Sequence, residues 1–162
     1  MSVPAPPEGV ERDAPLARLT TVRTGGPADY FARPRSTSSV VALLSWAQDA
    51  ALPVGVIGSG ANLFVADTGF KGLAIKLDGH LTELHFDDAT LLCGGGARLP
   101  RVAARSAEQG LAGLEFGVNI PGTVGGAIRM NANAYGGEHA SVLESAEVAT
   151  PDGIERPTPA DF

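Results

Sequence analysis

The residues best able to do chemistry in this chain sit in two glycine-rich segments. The first reads Val54-Gly55-Val56-Ile57-Gly58-Ser59-Gly60-Ala61-Asn62-Leu63, a short apolar run emptying into small residues. Successive main-chain N–H groups in such a loop can point one way and form an anion-binding nest. Gly58 and Gly60 allow the positive φ values a nest requires, and Asn62 adds a side-chain donor. An ordinary strand-to-turn connection has the same composition, so spacing alone leaves both readings open. A dinucleotide fingerprint is excluded, because it needs a sixth-position glycine and a long helix after it. Leu63 stands in that position, and Gly69 comes too soon for the helix.

The second segment is Asn119-Ile120-Pro121-Gly122-Thr123-Val124-Gly125-Gly126-Ala127-Ile128-Arg129-Met130-Asn131. Pro121 and the small residues behind it suit the first turn of a short helix or a tight loop with donors facing outward. The missing side chains at Gly122, Gly125 and Gly126 would let a flat ring lie against backbone. Close helix packing through small residues is the competing explanation. Arg129 could meet a phosphate or carboxylate there, or simply pair with a surface acid.

The remaining reactive side chains form no site. Cys93 reads as a small strand hydrophobe, since no histidine stands in a supporting pattern. His80 and His85 are five apart in strand-like sequence, which places them on opposite faces. His139 is remote from both, so no metal site is expected. Glu138 reads as a loop brace and Trp46 as core.

The elements that position these segments follow from periodicity and punctuation. Residues 1–15, with four prolines, are expected to form a flexible arm. Residues 36–50 read as a mostly buried helix capped by Ser36 or Thr37 and stopped by Pro53. Residues 54–57, 73–77, 81–86 and 89–93 read as strands. Residues 99–109 read as a second helix, with Pro100 in its first turn and Gly110 at C′. A hairpin closes the chain around Pro151-Asp152-Gly153. This order is α+β, not the βαβ alternation of a doubly wound sheet, and no internal repeat is present.

Composition narrows the classes further. The 162 residues are 44% hydrophobic and 19% charged, enough apolar content to bury a core. Glycine (21) and proline (12) make up about a fifth of the chain without a collagen triplet, so they belong to turns and close backbone approaches. A net charge of −6 argues against a nucleic-acid footprint, which shows as a basic patch. One cysteine excludes an internal disulfide framework. The most apolar stretch, residues 40–57, is broken by Ser45, Gln48, Asp49 and Pro53, so no membrane span is expected. Residues 1–7 lack the features of a secretory signal, and the expected location is cytoplasmic.

Taken together, Arg23-Thr24-Gly25-Gly26-Pro27-Ala28-Asp29, Gly58-Ser59-Gly60-Ala61-Asn62-Leu63, Asp67-Thr68-Gly69-Phe70-Lys71-Gly72 and Ile120-Pro121-Gly122-Thr123-Val124-Gly125-Gly126-Ala127 resemble the FAD-binding part of the UDP-N-acetylenolpyruvoylglucosamine reductase (MurB) family. The run Met130-Asn131-Ala132-Asn133-Ala134-Tyr135-Gly136-Gly137-Glu138 is similar to that family as well. The resemblance implies an FAD-binding domain of the PCMH (vanillyl-alcohol-oxidase-like) type over residues 16–162, built of two small α+β lobes. In the family a separate substrate-binding domain follows, which this chain is expected to lack. The implied reaction is oxidoreduction: NADPH reduces FAD, and the enolpyruvyl group of a UDP-sugar is reduced to give UDP-N-acetylmuramate for peptidoglycan. No protein partner is implied.

By the same resemblance, Gly58, Ser59, Gly60, Ala61 and Asn62 would hold the FAD pyrophosphate, with Leu63 also cofactor-binding. Pro121, Gly122, Thr123, Gly125, Gly126 and Ala127 line the flavin or its ribityl chain, Asn131 contacts the cofactor, and Arg129 is a candidate for substrate. Ala61 stands where the family usually has Ser, which removes one hydroxyl donor. Asn133 replaces a usual Gly, a mild change because Asn tolerates left-handed φ. The family's Tyr-Arg pair, Ser or Cys, and late Glu are expected beyond Phe162, so no catalytic residue is assigned. The alternatives are a non-catalytic or truncated FAD-binding module, or another PCMH-type flavin oxidoreductase.

Overall fold

The structure is a computed structural model, and it describes residues 4–158. The chain divides into two compact units. The first comprises residues 4–78 together with Ala149–Glu155, and the second comprises Gly79–Val148 and residues 156–158.

The first unit is built on a four-stranded sheet. Its elements are β1 (Glu11–Pro15), β2 (Pro27–Ala32), α1 (Thr37–Asp49), β3 (Val54–Val56) and β4 (Phe70–Ile75). Strand order is β1-β2-β4-β3. β1 runs antiparallel to β2, while β2 and β3 both run parallel to β4, with Val54 opposite Leu73 and Val56 opposite Ile75. A central parallel strand is buried on both faces and reads as a continuous apolar run, and in β4 Leu73, Ala74 and Ile75 are all buried.

Local signals explain α1. Ser36 Oγ accepts from Ser39 N–H at 3.3 Å, and Ser39 Oγ accepts from Ser36 N–H at 3.2 Å, a capping box with Ser in the Glu position. The helix ends as Ala51 turns to φ +51° and Leu52 N–H donates to the Ala47 carbonyl at 2.8 Å. Val40, Leu43, Trp46 and Ala47 are its buried residues, and Leu43, Trp46 and Ala47 pack with Tyr30, Leu73 and Ile75. Tyr30 and Trp46 meet edge to face at 5.1 Å, an arrangement aromatic quadrupoles favour.

The expected flexible arm lies partly outside the described residues, and its described part, residues 4–15, is not simply loose. Glu11–Pro15 is a sheet strand with Ala14 buried, and the Pro4 carbonyl accepts the Trp46 indole N–H at 3.2 Å. The strand gains its order from pairing with β2, a tertiary contact that overrides the proline-rich local sequence.

The second unit contains β5 (Leu84–Asp87), β6 (Thr90–Cys93), α2 (Leu99–Glu108), α3 (Val124–Arg129), β7 (Asn133–Ala134) and β8 (Gly137–Glu138). β5 and β6 form a hairpin, as do β7 and β8. The first of these begins later than its apolar run suggests, because Gly79–Thr82 is a 3-10 turn rather than strand. That change of geometry moves His80. Its Nδ1 lies 2.9 Å from Glu83 and His85 Nε2 lies 3.5 Å from the same carboxylate, so the two histidines share a partner instead of occupying opposite faces.

α2 buries Leu99, Val102, Ala103 and Ser106. It ends in a Schellman motif: Gly110 N–H donates to the Ala107 carbonyl at 3.0 Å and Leu111 N–H to the Ser106 carbonyl at 2.9 Å, with Gly110 at φ +76°. Ser106 Oγ is fully buried with no hydrogen-bond partner. An unsatisfied buried hydroxyl costs about 1–3 kcal/mol, and Ala is the better helix former. Ser106→Ala is therefore expected to stabilise the protein by about 1 kcal/mol, read as a rise in the urea midpoint; a lower midpoint contradicts this account. A final hairpin, β9 (Val148–Thr150) with β10 (Gly153–Glu155), turns at Pro151-Asp152 and is tied by Thr150 Oγ1 donating to the Gly153 carbonyl at 3.2 Å.

Candidate functional site

Residues 58–63 belong to the first unit and residues 121–131 to the second. In the first unit the loop leaves the end of β3. Ile57 N–H extends the ladder onto the Ile75 carbonyl at 2.8 Å, after which the chain departs from the sheet. The Gly58 carbonyl accepts from Lys76 Nζ, at the end of β4. The Gly60 carbonyl accepts from Thr21 N–H at 3.0 Å.

Gly60 has φ +74°, and a β-carbon there would lie 1.9 Å from the Leu19 carbonyl oxygen. Only glycine fits. Gly58, by contrast, is not among the residues with positive φ, so one of the two glycines supplies the left-handed turn rather than both.

The loop leaves main-chain donors unpaired. Ala61 and Asn62 are exposed, and the Gly60 and Ala61 N–H groups donate to no acceptor among the described residues. Leu63 turns back into the protein and packs against the cluster that includes Leu16, Phe31 and Ala74, so it anchors the loop. Behind the loop, the Thr20 hydroxyl donates within its own turn to the Ala17 and Thr24 carbonyls at 3.2 and 3.3 Å. Gly26 N–H joins that turn to the Ala66 carbonyl at 2.9 Å. The Arg23–Asp29 motif thus ties the Thr20 turn, which carries Thr21, to Ala66.

In the second unit, α3 begins at the Thr123 N-cap, whose side chain makes no cap bond. Two first-turn donors are already used: Val124 N–H goes to the Ala97 carbonyl at 2.9 Å and Gly125 N–H to the Gly95 carbonyl at 2.8 Å. A β-carbon on Gly125 would lie 3.1 Å from that Gly95 oxygen, so this glycine serves backbone packing. Gly126 differs. Its N–H has no acceptor among the described residues, and a β-carbon there would meet only Thr123 Oγ1 at 3.5 Å. Gly122 faces open space on its side-chain direction, while Thr123 and Ala127 are buried and Pro121 is exposed. The open backbone of this segment is at Gly122 and Gly126.

Arg129 is exposed and makes no ion pair among the described residues. Asn131 has both ends of its amide engaged: Nδ2 donates to Glu138 at 2.9 Å and Oδ1 accepts from Ala140 N–H at 3.0 Å. Its side chain therefore braces the loop, and Glu138 is its partner in doing so. Asn133 does not take the left-handed conformation that its substitution suggested. Asn131 (φ +41°), just past the end of α3, and Tyr135 (φ +53°), in the turn of the short β7–β8 hairpin, do.

Burial pushes the Cys93 thiol up to about 11, so it stays protonated and unreactive. His139 is buried, edge to face with Phe116 at 5.2 Å, and its Nδ1 lies 3.3 Å from the Ala132 carbonyl. Desolvation lowers its pKa below 6.5, partly offset by the Ala132 hydrogen bond. The unfolded chain then binds the extra proton, so stability is full above about pH 6.5 and falls as pH drops below it. His139→Phe is expected to flatten the melting temperature between pH 7.5 and 5 relative to the native chain; an unchanged slope contradicts this. Among the described residues no group of His, Cys, Asp or Glu could hold a metal, and no helix is long and apolar enough to cross a membrane.

Sequence reasoning missed Lys76 and Thr21, the two donors that hold the 58–63 loop from behind. A lysine after an apolar strand carries no local sign of that role.

The loop fits a dinucleotide's diphosphate: a position where no β-carbon fits, open N–H groups beside it, and no acidic side chain within residues 58–63. The family described as FAD binding domain matches residues 28–156. UDP-N-acetylenolpyruvoylglucosamine reductase 2 of Symbiobacterium thermophilum is 43% identical over 157 residues, covering 96% of this chain and 51% of that protein. Among solved structures, UDP-N-acetylenolpyruvylglucosamine reductase (MurB) from Thermus caldophilus superposes with a TM-score of 0.79 at 33% identity, covering 94% of this chain and 53% of the other. 6-Hydroxy-D-nicotine oxidase from Arthrobacter nicotinovorans shares the fold, with a TM-score of 0.72 at 19% identity over 99% of this chain and 38% of its own. The chain spans about half the length of the curated relatives it matches. The two-unit α+β architecture, the open-donor loop and the match over residues 28–156 agree, and the chain belongs to the FAD binding domain family.

Proposed function

We propose that this chain is the FAD-binding portion of an NADPH-dependent reductase acting on the enolpyruvyl group of UDP-N-acetylglucosamine enolpyruvate, giving UDP-N-acetylmuramate for peptidoglycan in the cytoplasm. The observation that carries the reading is the 43% identity to such a reductase across 96% of the chain. The 58–63 loop supports it with donors suited to a diphosphate.

Gly58, Ser59, Gly60, Ala61 and Asn62 would hold the FAD diphosphate through main-chain N–H groups, with Leu63 as their anchor. Gly122 and Gly126 would give the flavin or ribityl chain its close approach, within the segment that Pro121, Thr123, Gly125 and Ala127 hold in place. Arg129, exposed and without an ion pair among the described residues, suits a phosphate or carboxylate of the UDP-sugar. Bound FAD supplies hydride-transfer chemistry that no side chain can perform.

FAD titration of the purified chain tests the cofactor assignment. The expected result is a yellow complex that releases FAD rather than FMN, and a colourless protein that takes up no FAD refutes it. NADPH oxidation that depends on the UDP-sugar, measured on the protein that carries this chain, tests the reaction. Its absence there leaves a non-catalytic FAD module as the better description.

A further inference from the structure

Arg98 and Thr123 face each other across a short antiparallel pairing of backbone within the second unit. Leu99 N–H donates to the Gly122 carbonyl at 3.0 Å, and Val124 N–H donates to the Ala97 carbonyl at 2.9 Å. Those two bonds bracket Arg98 and Thr123, which makes them a non-hydrogen-bonded pair, the kind whose side chains stand closest on one face. Directly opposed residues of this sort have Cβ atoms about 4.5–5.5 Å apart. Thr123 Oγ1 in turn lies 3.5 Å from where a β-carbon on Gly126 would stand. Arg98, the Thr123 hydroxyl and the open backbone of Gly126 thus share one face.

The polar groups on that face lack partners. Thr123 is buried, yet its hydroxyl bonds to nothing among the described residues. Arg98 is exposed and forms no ion pair or side-chain hydrogen bond among them. Nor does Arg98 serve α2. It is the N-cap residue and makes no cap bond, and a cation at this end opposes the helix dipole. Its sequence surroundings offer no counter-charge. Residues 94–107 and 116–137 contain Arg98, Arg101, Arg105 and Arg129 and no Asp or Glu, in a chain of net charge −6. A local rule broken without return to the fold is the mark of a functional position.

We propose that Arg98 is the cation that faces the bound flavin ring and stabilises its reduced, negatively charged form. The inference rests on the reading of residues 121–127 as the flavin segment and adds a residue from outside that segment. The ring is neutral when oxidised, and taking up a hydride leaves it with one negative charge. A cation a few ångströms away favours the charged state over the neutral one. Arg98 should therefore act on the redox equilibrium and leave affinity for oxidised FAD nearly untouched.

The test measures the two-electron midpoint potential of FAD bound to the 162-residue chain, alongside the dissociation constant of oxidised FAD. Arg98→Met and Arg98→Gln remove the charge, Arg98→Lys keeps it, and far-UV circular dichroism checks each fold. At a fixed poise the ratio of reduced to oxidised FAD is expected to fall about tenfold or more in both neutral variants, a midpoint about 30 mV more negative. Oxidised FAD should bind these variants within about threefold of native, and Arg98→Lys should keep the ratio within about threefold of native. A native midpoint in a folded neutral variant overturns the proposal, and so does Arg98→Lys falling as far as Arg98→Met. Weakened FAD binding at an unchanged midpoint, or loss of FAD binding by both folded neutral variants, places the arginine against the diphosphate and overturns it as well. A native chain that binds no FAD refutes the cofactor reading itself and takes this inference with it, whereas equal midpoints in native and variants refute the inference alone.

Discussion

Gly60→Ala is expected to abolish measurable FAD binding and to lower stability by about 2–5 kcal/mol. Two costs combine. At φ +74° a residue with a β-carbon is strained by roughly 1–2 kcal/mol. The new methyl carbon would also lie 1.9 Å from the Leu19 carbonyl oxygen, and that atom is backbone, unable to swing aside as a side-chain tip can. Overpacking of this kind costs about 1–3 kcal/mol. The chain can relieve the clash only by moving the 58–63 loop away from Thr21, which breaks the hydrogen bond to the Gly60 carbonyl and turns the Ala61 N–H out of place. Urea unfolding and FAD titration on the same preparation check the prediction. The telling result is their combination: Gly58→Ala, at a glycine without positive φ, should be milder in stability than Gly60→Ala. Equal losses at the two positions would contradict the conformational argument.

That contrast between two glycines marks how far the sequence can be read. The pattern Gly58-Ser59-Gly60 announces a loop with exposed amides, because two residues without β-carbons after an apolar run have few other uses. It does not say which glycine turns left-handed. That depends on where Leu19 comes to lie, some forty residues away along the chain. Both helices were legible for the opposite reason. Ser36 with Ser39, and Gly110 after Glu108, act within one turn of chain, so composition and local geometry agree.

Failures follow the same division. Glu11–Pro15 looked loose because its order comes from β2. Strand alternation sets His80 and His85 on opposite faces, but Gly79–Thr82 winds as a 3-10 turn and brings both to Glu83. In the second glycine-rich segment, composition suggested that Gly122, Gly125 and Gly126 all meet a ligand. The structure separates them, since Gly125 is committed to the Gly95 carbonyl while Gly122 and Gly126 remain open. Small residues mark close backbone approach without naming the partner that approaches.

Ala61 gives the converse experiment, a gain rather than a loss. Its side chain is exposed, its φ lies outside the left-handed region, and its N–H is open, so Ala61→Ser adds a hydroxyl with no steric or backbone penalty. A hydrogen bond to a charged group contributes about 1.5–3 kcal/mol, and part of that is lost in fixing the serine rotamer. FAD affinity is therefore expected to rise about tenfold, with stability of the free protein changed by less than about 0.5 kcal/mol. Riboflavin, which has no phosphate, serves as the control: its affinity should not respond. Tighter FAD binding with unaltered binding of both riboflavin and adenosine places the diphosphate at this loop, because those two parts make up the rest of the ligand. If Ala61→Ser leaves FAD affinity unchanged, the open amide at position 61 does not face a phosphate, and the assignment of residues 58–62 to the diphosphate must be abandoned even if the chain is yellow.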